Sequence, residues 1–356
     1  MWKLLDKIIF LFNLPIMAGL AGAYCASFID PEVLALPSLL GLAYPYLLIA
    51  NLCLLPYWIF RWKRTAWAVL TVTLLGIPAF TTYYGTARVQ DREPKADLSV
   101  LSYNVRYFDA YGWSNDKNTS SKLFGYLNAY RGDLICLQEF NLKPGSPEEQ
   151  TVVKRLHTYP YHYIHGTTAI FSRRKILRHD YLTFPATHRA AGIYCDLKTA
   201  KDTVRLYSVH LESFRLGEKE RAFMKEIGQG INGNQLSDGT RHLIARLTGA
   251  NKRRARQAAQ IRSYIAHSPH PVVLCGDFND TPLSYTYREI KNGLKDAFIE
   301  CGRGIGNTYI GELPSFRIDY ILHSPRLKAV SYLRDTVTFS DHYPIRARLC
   351  HISDSH

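Results

Sequence analysis

The sequence predicts a mixed α/β domain of about 260 residues carried behind an anchor of three membrane helices. Three observations support this. The first 84 positions hold only eight charged residues, short apolar runs rich in β-formers recur beyond position 96, and acids, amides and histidines collect at the ends of those runs. At 356 residues, with 47% hydrophobic and 21% charged residues, the chain is too long for one small module and too apolar for a disordered protein.

The windows Ile8 to Ile29, Val33 to Phe60 and Thr65 to Ala87 carry no charge. Each exceeds the roughly 20 apolar residues that cross a bilayer, so helices are expected over 8–29, 36–59 and 66–84, within an anchor spanning 1–84. Pro15, Pro37, Pro45, Pro56 and Pro78 are tolerable in membrane helices, where neighbours satisfy the freed carbonyls. Trp2, Tyr57, Trp58, Trp62, Trp67, Tyr83 and Tyr84 sit near the window edges, as in interfacial aromatic belts. A cleaved signal peptide would explain the first window alone, and a buried hairpin would explain two windows in a soluble core, but three uncharged windows in succession disfavour both. Lys3 and Lys7 precede the first window, Asp30 and Glu32 separate the first two, and Arg61-Trp62-Lys63-Arg64 separates the last two. Positive loops stay cytoplasmic, which puts the chain beyond about residue 88 on the extracytoplasmic side of a multi-pass membrane protein.

Gly85 to Ala96 reads as a polar linker punctuated by Gly85 and Pro94. Strands are expected at Leu98 to Val105, Leu134 to Leu137, Thr168 to Phe171, Ile193 to Leu197, Val204 to Val209, Val272 to Cys275 and Ile318 to Leu322. Helical patterns fall at Ser120 to Tyr130, Gln150 to His157, Leu243 to His267 and Ser284 to Asn292, the third amphipathic over Arg253 to Ala266. Ser213 to Gly239 reads as a long excursion, part helical. Seven cysteines without a CxxC make neither a zinc nor a disulfide pattern, and Cys136 and Cys275 lie in apolar strands, where cysteine packs as a small hydrophobe. An odd count sits uneasily with an oxidising compartment.

Asn104, Glu139, His210 with Glu212, Asp277 with Asn279, and Asp341-His342 follow apolar strands or their last residues, and Asp319 lies within one. Strand ends are where α/β sheets gather site residues. Singly, Asn104 reads as a turn residue, Glu139 as a solvated strand end, and Asp277 with Asn279 as a turn bonding its own backbone. Together they form a set in which the oxygens of Glu139, Asn104 and Asp341 suit a hard cation, Mg²⁺ or Mn²⁺, and the lack of a thiolate pair disfavours zinc.

The ordered motifs Tyr103-Asn104-Val105-Arg106, Leu137-Gln138-Glu139, Ser208-Val209-His210-Leu211, Gly276-Asp277-Phe278-Asn279-Asp280, Arg317-Ile318-Asp319-Tyr320 and Ser340-Asp341-His342-Tyr343-Pro344 resemble those of the endonuclease/exonuclease/phosphatase superfamily over about residues 97 to 350. The resemblance implies a four-layer α/β sandwich, two mixed sheets flanked by helices, and a metal-dependent phosphoric ester hydrolase. It implies a divalent cation held by Glu139 with Asn104 and Asp341, and His342 as general base or phosphate-polarising group, oriented by Asp319. Asp277 would position or activate water, Asn279 would bond the phosphate in the transition state, and His210 would donate to a phosphoryl oxygen. Histidine at position 210 resembles the sphingomyelinase-like and phosphatase branches more than the nuclease branch.

Beyond residue 90, 38 basic and 27 acidic residues leave a charge of +11, which serves nucleic acid, an anionic membrane or a small polyanion equally. Arg173-Arg174-Lys175 and Lys252-Arg253-Arg254-Ala255-Arg256 read as solvated faces, with phosphate contact as the alternative. The anchor favours a lipid headgroup or soluble phosphodiester beside a lipid bilayer, with no obligate protein partner evident. The alternatives are an extracytoplasmic nuclease, with DNA or RNA as substrate, and a non-catalytic protein that binds a phosphate ligand. Protease added outside intact spheroplasts is expected to degrade the C-terminal domain; full protection would reverse the topology.

Overall fold

Strand-forming runs in the C-terminal two-thirds pair into two six-stranded sheets, and the N-terminal part is helical. The structure is a computed structural model and describes the chain apart from residues 1, 62, 89–94, 111, 113, 115, 141, 143–144, 185–190, 215–232, 312–315 and 353–356. Most of the expected excursion and half of the expected linker therefore lie outside the described residues. Two compact units are distinguished, one made of residues 1–82, 213–256 and 280–289, the other of 83–212, 257–279 and 290–356.

In the first unit, α1 (Trp2–Tyr24) and α2 (Leu36–Phe60) are, among the described residues, the two helices long and apolar enough to cross a membrane. They turn large apolar side chains outward, Leu11 being 71% exposed and Phe60 76%. The first helix starts earlier than the uncharged window because Asp6 does not end it: its carboxylate accepts from Tyr57 Oη at 2.7 Å and pairs with Arg61 at 3.0 Å and Lys63 at 3.4 Å. Asn13 donates to Asn51 at 3.3 Å and accepts from Trp58 Nε1 at 3.0 Å, so buried polar bonds fix how the two helices meet.

The expected third span, 66–84, is not one long helix. It is α3 (Thr65–Leu75) followed by the single turn α4 (Ile77–Phe80). Gly76 leaves helical geometry (ψ −1°), and Pro78 has no N–H to continue the ladder. At about 1.5 Å per residue, α3 covers about 16 Å of the roughly 30 Å hydrocarbon core. The run Lys252 to Arg256 is also not a uniformly solvated face, since Arg254 is wholly buried. In the second unit Arg174 bonds Asp133 at 2.7 Å and Arg173 lies over the Tyr159 ring, so that run too is engaged.

The first strand of the second unit is β1 (Tyr84–Thr86), across the expected boundary between anchor and linker, paired with β11 (Arg303–Ile305). A Cβ on Gly85 would lie 2.3 Å from the Gly302 carbonyl, so this close approach requires glycine. One large sheet contains β6 (Ile176–Tyr181), β7 (Ala191–Lys198), β8 (Thr203–His210), β9 (Val272–Asp277), β10 (Lys295–Asp296) and β12 (Asp319–His323), in the order β10-β12-β9-β8-β7-β6. The other contains β2 (Leu98–Asn104), β3 (Leu134–Gln138), β4 (Tyr161–His165), β5 (Thr168–Ser172), β13 (Leu327–Arg334) and β14 (Ile345–His351), in the order β13-β14-β2-β3-β5-β4.

Alternate residues of both sheets meet in one core, with Val100, Cys136, Ile170 and Leu349 from one and Cys195, Leu206, Val273 and Ile321 from the other. The outer face of the second sheet (Leu101, Ile135, Phe171) packs against α5 (Thr119–Ala129) and α6 (Pro147–Arg155) through Leu123, Leu127 and Val152. At the first sheet, Tyr207 Oη donates to the Tyr264 carbonyl of α7 (Gly233–Ala266) at 3.0 Å. All seven cysteines are free, and Cys136, Cys195 and Cys275 are buried in the core.

Each sheet holds one parallel pair, β2 with β3 and β8 with β9, and every other pairing of the two sheets is antiparallel. Asn104 at the end of β2 bonds Asp277 at the end of β9, so both parallel pairs finish at one edge. Gly276 makes this possible: its φ is 148°, and an added Cβ would sit 1.9 Å from the Val209 carbonyl oxygen. Gly276→Ala is expected to cost about 3 kcal/mol or more in chemical denaturation, whereas Gly125→Ala, in α5 with no atom within 4 Å of the new Cβ, should be neutral or stabilising.

Candidate active site

The strand ends deliver the predicted residues. Parallel register sets His210 beside Asp277, and the antiparallel register of β9 and β12 sets Asp319 opposite Asp277. Asp277 is 1% exposed. Its Oδ2 accepts from Asn104 Nδ2 at 3.0 Å and Asn279 Nδ2 at 3.3 Å, and its Oδ1 accepts from the Asn279 backbone N–H at 2.8 Å. His342 Nε2 lies 3.7 Å and His210 Nε2 3.8 Å from the same Oδ2, and His210 Nε2 is 3.7 Å from Glu139 Oε1. Glu139 and Asn279 both hold φ near 52°, left-handed conformations that end their segments sharply and aim the side chains.

His342 Nδ1 donates to Asp319 Oδ2 at 2.9 Å. Burial alone would lower the histidine's pKa, but the carboxylates of Asp319 and Asp277 together outweigh it and hold His342 well above 6.5. Burial pushes Asp277 up; the His342 charge opposes this and the Asp319 charge adds to it. Burial also raises Glu139, with His342 opposing and Asp341 reinforcing the shift. The edge therefore gathers an imidazole held toward its cationic form, a buried acid inclined to take a proton, and a glutamate whose pKa burial raises.

The chemistry of the donor set is the test for a cation. Glu139 is half-buried, interacts with the Asn104 amide and feels the Asp341 carboxylate, an oxygen donor set that fits a hard divalent ion. A second group, Asp277, Asp319 and His342, has ligand atoms within 4.8 Å of one another. In that group the imidazole Nδ1 bonds Asp319 at 2.9 Å, so the residues of this edge offer two donor sets for a cation, one around Glu139 and one around Asp277.

Sequence reasoning passed over two residues. Arg106, two positions after Asn104, pairs with Asp341 at 3.3 Å and donates its backbone N–H to Asn104 Oδ1 at 3.0 Å; its place in the motif was the available signal. Tyr309 stands edge-on to His342 with ring centroids 5.3 Å apart, and its backbone bridges to the same residue. It comes from the loop after β11, where no pattern announced it. Thr308 beside it accepts from the Ile318 and Asp319 N–H groups at 3.1 Å each, steadying Asp319. Glu212 stands apart as a buried side chain whose backbone N–H donates to Gln257 at 3.1 Å.

A model of the endonuclease/exonuclease/phosphatase family matches residues 101–342, which takes in every one of these side chains. The chain belongs to the endonuclease/exonuclease/phosphatase family. It is accordingly a metal-dependent phosphoric ester hydrolase. A second model, a domain of unknown function (DUF8431), matches residues 6–83, the helical N-terminal part. No curated protein matches the chain. Among solved structures, an endonuclease/exonuclease/phosphatase family protein from Bacteroides thetaiotaomicron is 15% identical, covers 72% of this chain and 98% of its own, and superposes with a TM-score of 0.52. TDP2 of D. rerio complexed with single strand DNA product is 20% identical over 71% of this chain and 98% of its own, with a TM-score of 0.51. The human Nocturnin catalytic domain with bound sulfate anion is 17% identical over 72% and 94%, also at 0.51. At these identities the likeness is one of fold.

Because the folded pKa of His342 lies above its unfolded value, the Asp319 pair stabilises the fold fully below about pH 6.5 and loses that contribution as pH rises through the folded pKa. NMR titration of the His342 ring in the detergent-solubilised chain is expected to give a midpoint above 6.5, and Asp319→Asn should move it down; an unmoved midpoint would contradict the pairing.

Proposed function

We propose that this family member is a membrane-tethered phosphodiesterase, dependent on Mg²⁺ or Mn²⁺, that acts on a lipid headgroup or a soluble phosphodiester outside the cytoplasm. The observation that carries the catalytic reading is the convergence on one buried oxygen, Asp277 Oδ2, of Asn104, Asn279, His210 and His342. When bound by Glu139 with Asn104 and Asp341, the cation neutralises phosphoryl oxygens and the leaving group.

The remaining work falls to side chains. A diester is anionic and repels hydroxide, so a water must be both aligned and deprotonated close to positive charge. Asp277, inclined by burial to accept a proton, takes it from the water. His342, kept cationic by Asp319, donates from Nε2 to a phosphoryl oxygen; its raised pKa favours this phosphate-polarising role over that of general base. Asn279, whose amide nitrogen donates to the Leu211 carbonyl at 3.0 Å and to Asp277 Oδ2 at 3.3 Å, bonds the phosphate by exchanging the longer bond, and His210, 3.8 Å from the same oxygen, donates to a phosphoryl oxygen.

The tether reading draws on α1 and α2, the two long apolar helices, and on the Asp6, Arg61 and Lys63 cluster at one end of them, which matches a cytoplasmic face. A nuclease is the second reading, favoured by the charge of +11 beyond residue 90 and by a shared fold with TDP2, whose structure holds a single strand DNA product.

The full chain in detergent with Mg²⁺ or Mn²⁺ is expected to hydrolyse bis(4-nitrophenyl) phosphate, and His342→Ala and Glu139→Ala should each lower kcat by about 100-fold or more. Undiminished activity in either variant would refute the site. A panel of sphingomyelin, glycerophospholipids, inositol phosphates, DNA and RNA then separates the two readings, turnover of nucleic acid far above any lipid favouring the second.

A further inference from the structure

Within the first unit, Arg254 is 0% exposed. A guanidinium taken out of water persists only where its donor fork is filled. Nε donates to Asp280 Oδ2 at 3.1 Å, an Nη donates to Asn251 Oδ1, and the Phe214 ring lies 4.3 Å from Cζ. Asn251, 3% exposed, passes the connection on: its Nδ2 donates to Ser38 Oγ at 2.8 Å, and Ser38 Oγ donates to the Ala35 carbonyl at 2.7 Å.

The segment between α1 and α2 reaches the residues after Asp280 as well. Ser27 Oγ donates to the Leu283 carbonyl at 3.0 Å, Arg288 donates to the Ser27 carbonyl at 3.4 Å, and the Arg288 guanidinium stacks 4.3 Å over Phe28. Arg256 pairs with Glu32. Apart from the exposed Arg256–Glu32 pair, these are buried or partly buried polar bonds across more than 200 positions of sequence, far more specific than a tether needs.

Asp280 closes the motif Gly276-Asp277-Phe278-Asn279-Asp280 and accepts from the Thr281 N–H at 3.0 Å, directly after Asn279 in its left-handed conformation. We infer that Arg254 is a positioning residue: with Asn251 and Ser38 it ties Asp280 to the segment joining the two apolar helices, and so fixes the turn that carries Asn279. This rests on the reading of Asn279 and Asp277 given under Proposed function, and the experiment separates the two.

The test uses the full chain in detergent micelles with Mg²⁺ and bis(4-nitrophenyl) phosphate, with hydrogen exchange of backbone amides 278–283 as a readout independent of catalysis. Asn251→Ala and Ser38→Ala, which leave the buried charge pair in place, should speed exchange in that turn by at least fivefold and lower kcat by threefold or more, with KM within twofold. Arg254→Met should do both more strongly, and Arg254→Lys should recover part of the loss. The double variant Arg254→Met with Asp280→Asn should be no worse than Arg254→Met alone. Unchanged exchange over 278–283 in folded Asn251→Ala and Ser38→Ala, or full kcat in both, overturns the inference. Faster exchange in a chain whose Asn279→Ala variant retains wild-type kcat would support the tie while refuting the catalytic reading.

Discussion

Asp277 Oδ2 accepts hydrogen bonds from two side-chain amides and faces two imidazoles within 3.8 Å, in a place with almost no access to water. A buried carboxylate survives only where donors and cations surround it, and here they come from β2, β8, the turn after β9 and the segment before β14. Those elements must end at the same point for this oxygen to be satisfied. The left-handed φ at Glu139 and Asn279, and the glycine at 276 pressed against the Val209 carbonyl, are local strains consistent with that demand. Asp319 in turn keeps His342 cationic, so the charge facing Asp277 is itself set by a second buried acid.

The two parallel pairs explain why these residues were legible in the sequence. A parallel pair needs a crossover, so β2 and β3, and likewise β8 and β9, run in the same direction and end together. An apolar run that ends in a polar residue with ligand chemistry thereby brings that residue to the shared edge. Other features stayed hidden for physical reasons. β14, central in its sheet, alternates Ile345-Arg346-Ala347-Arg348-Leu349, and its arginines masked a strand of which one face is fully buried. Arg254 read as a solvated charge because no local pattern can reveal a partner 26 positions away, and Tyr309 belongs to an irregular loop whose placement depends on contacts distant in sequence. The third apolar window failed for a nearer reason: composition records that Thr65 to Ala87 is uncharged but not that Gly76 and Pro78 interrupt its hydrogen-bond ladder.

The positive charge of the chain also divides once side chains are located. Some arginines are paired inside the fold: Arg205 with Asp196, Arg317 with Asp296, Arg254 with Asp280, all with little or no exposure. Guanidinium forks are suited to that work because they fill two carboxylate oxygens in a plane. Each such pair removes one charge of either sign, so the net of +14 is left to the remaining side chains.

The buried thiols ease a tension that an odd cysteine count creates for a domain exposed to oxidants. Cys136 and Cys275 lie close enough to interact, and Cys195 shares their core between the sheets. Burial raises the thiol pKa of Cys136 and Cys195 far from neutrality. Without thiolate there is no nucleophile for disulfide exchange, and without access there is no encounter with an oxidant. These sulfurs thus behave as methyl-sized packing atoms in the core between the sheets.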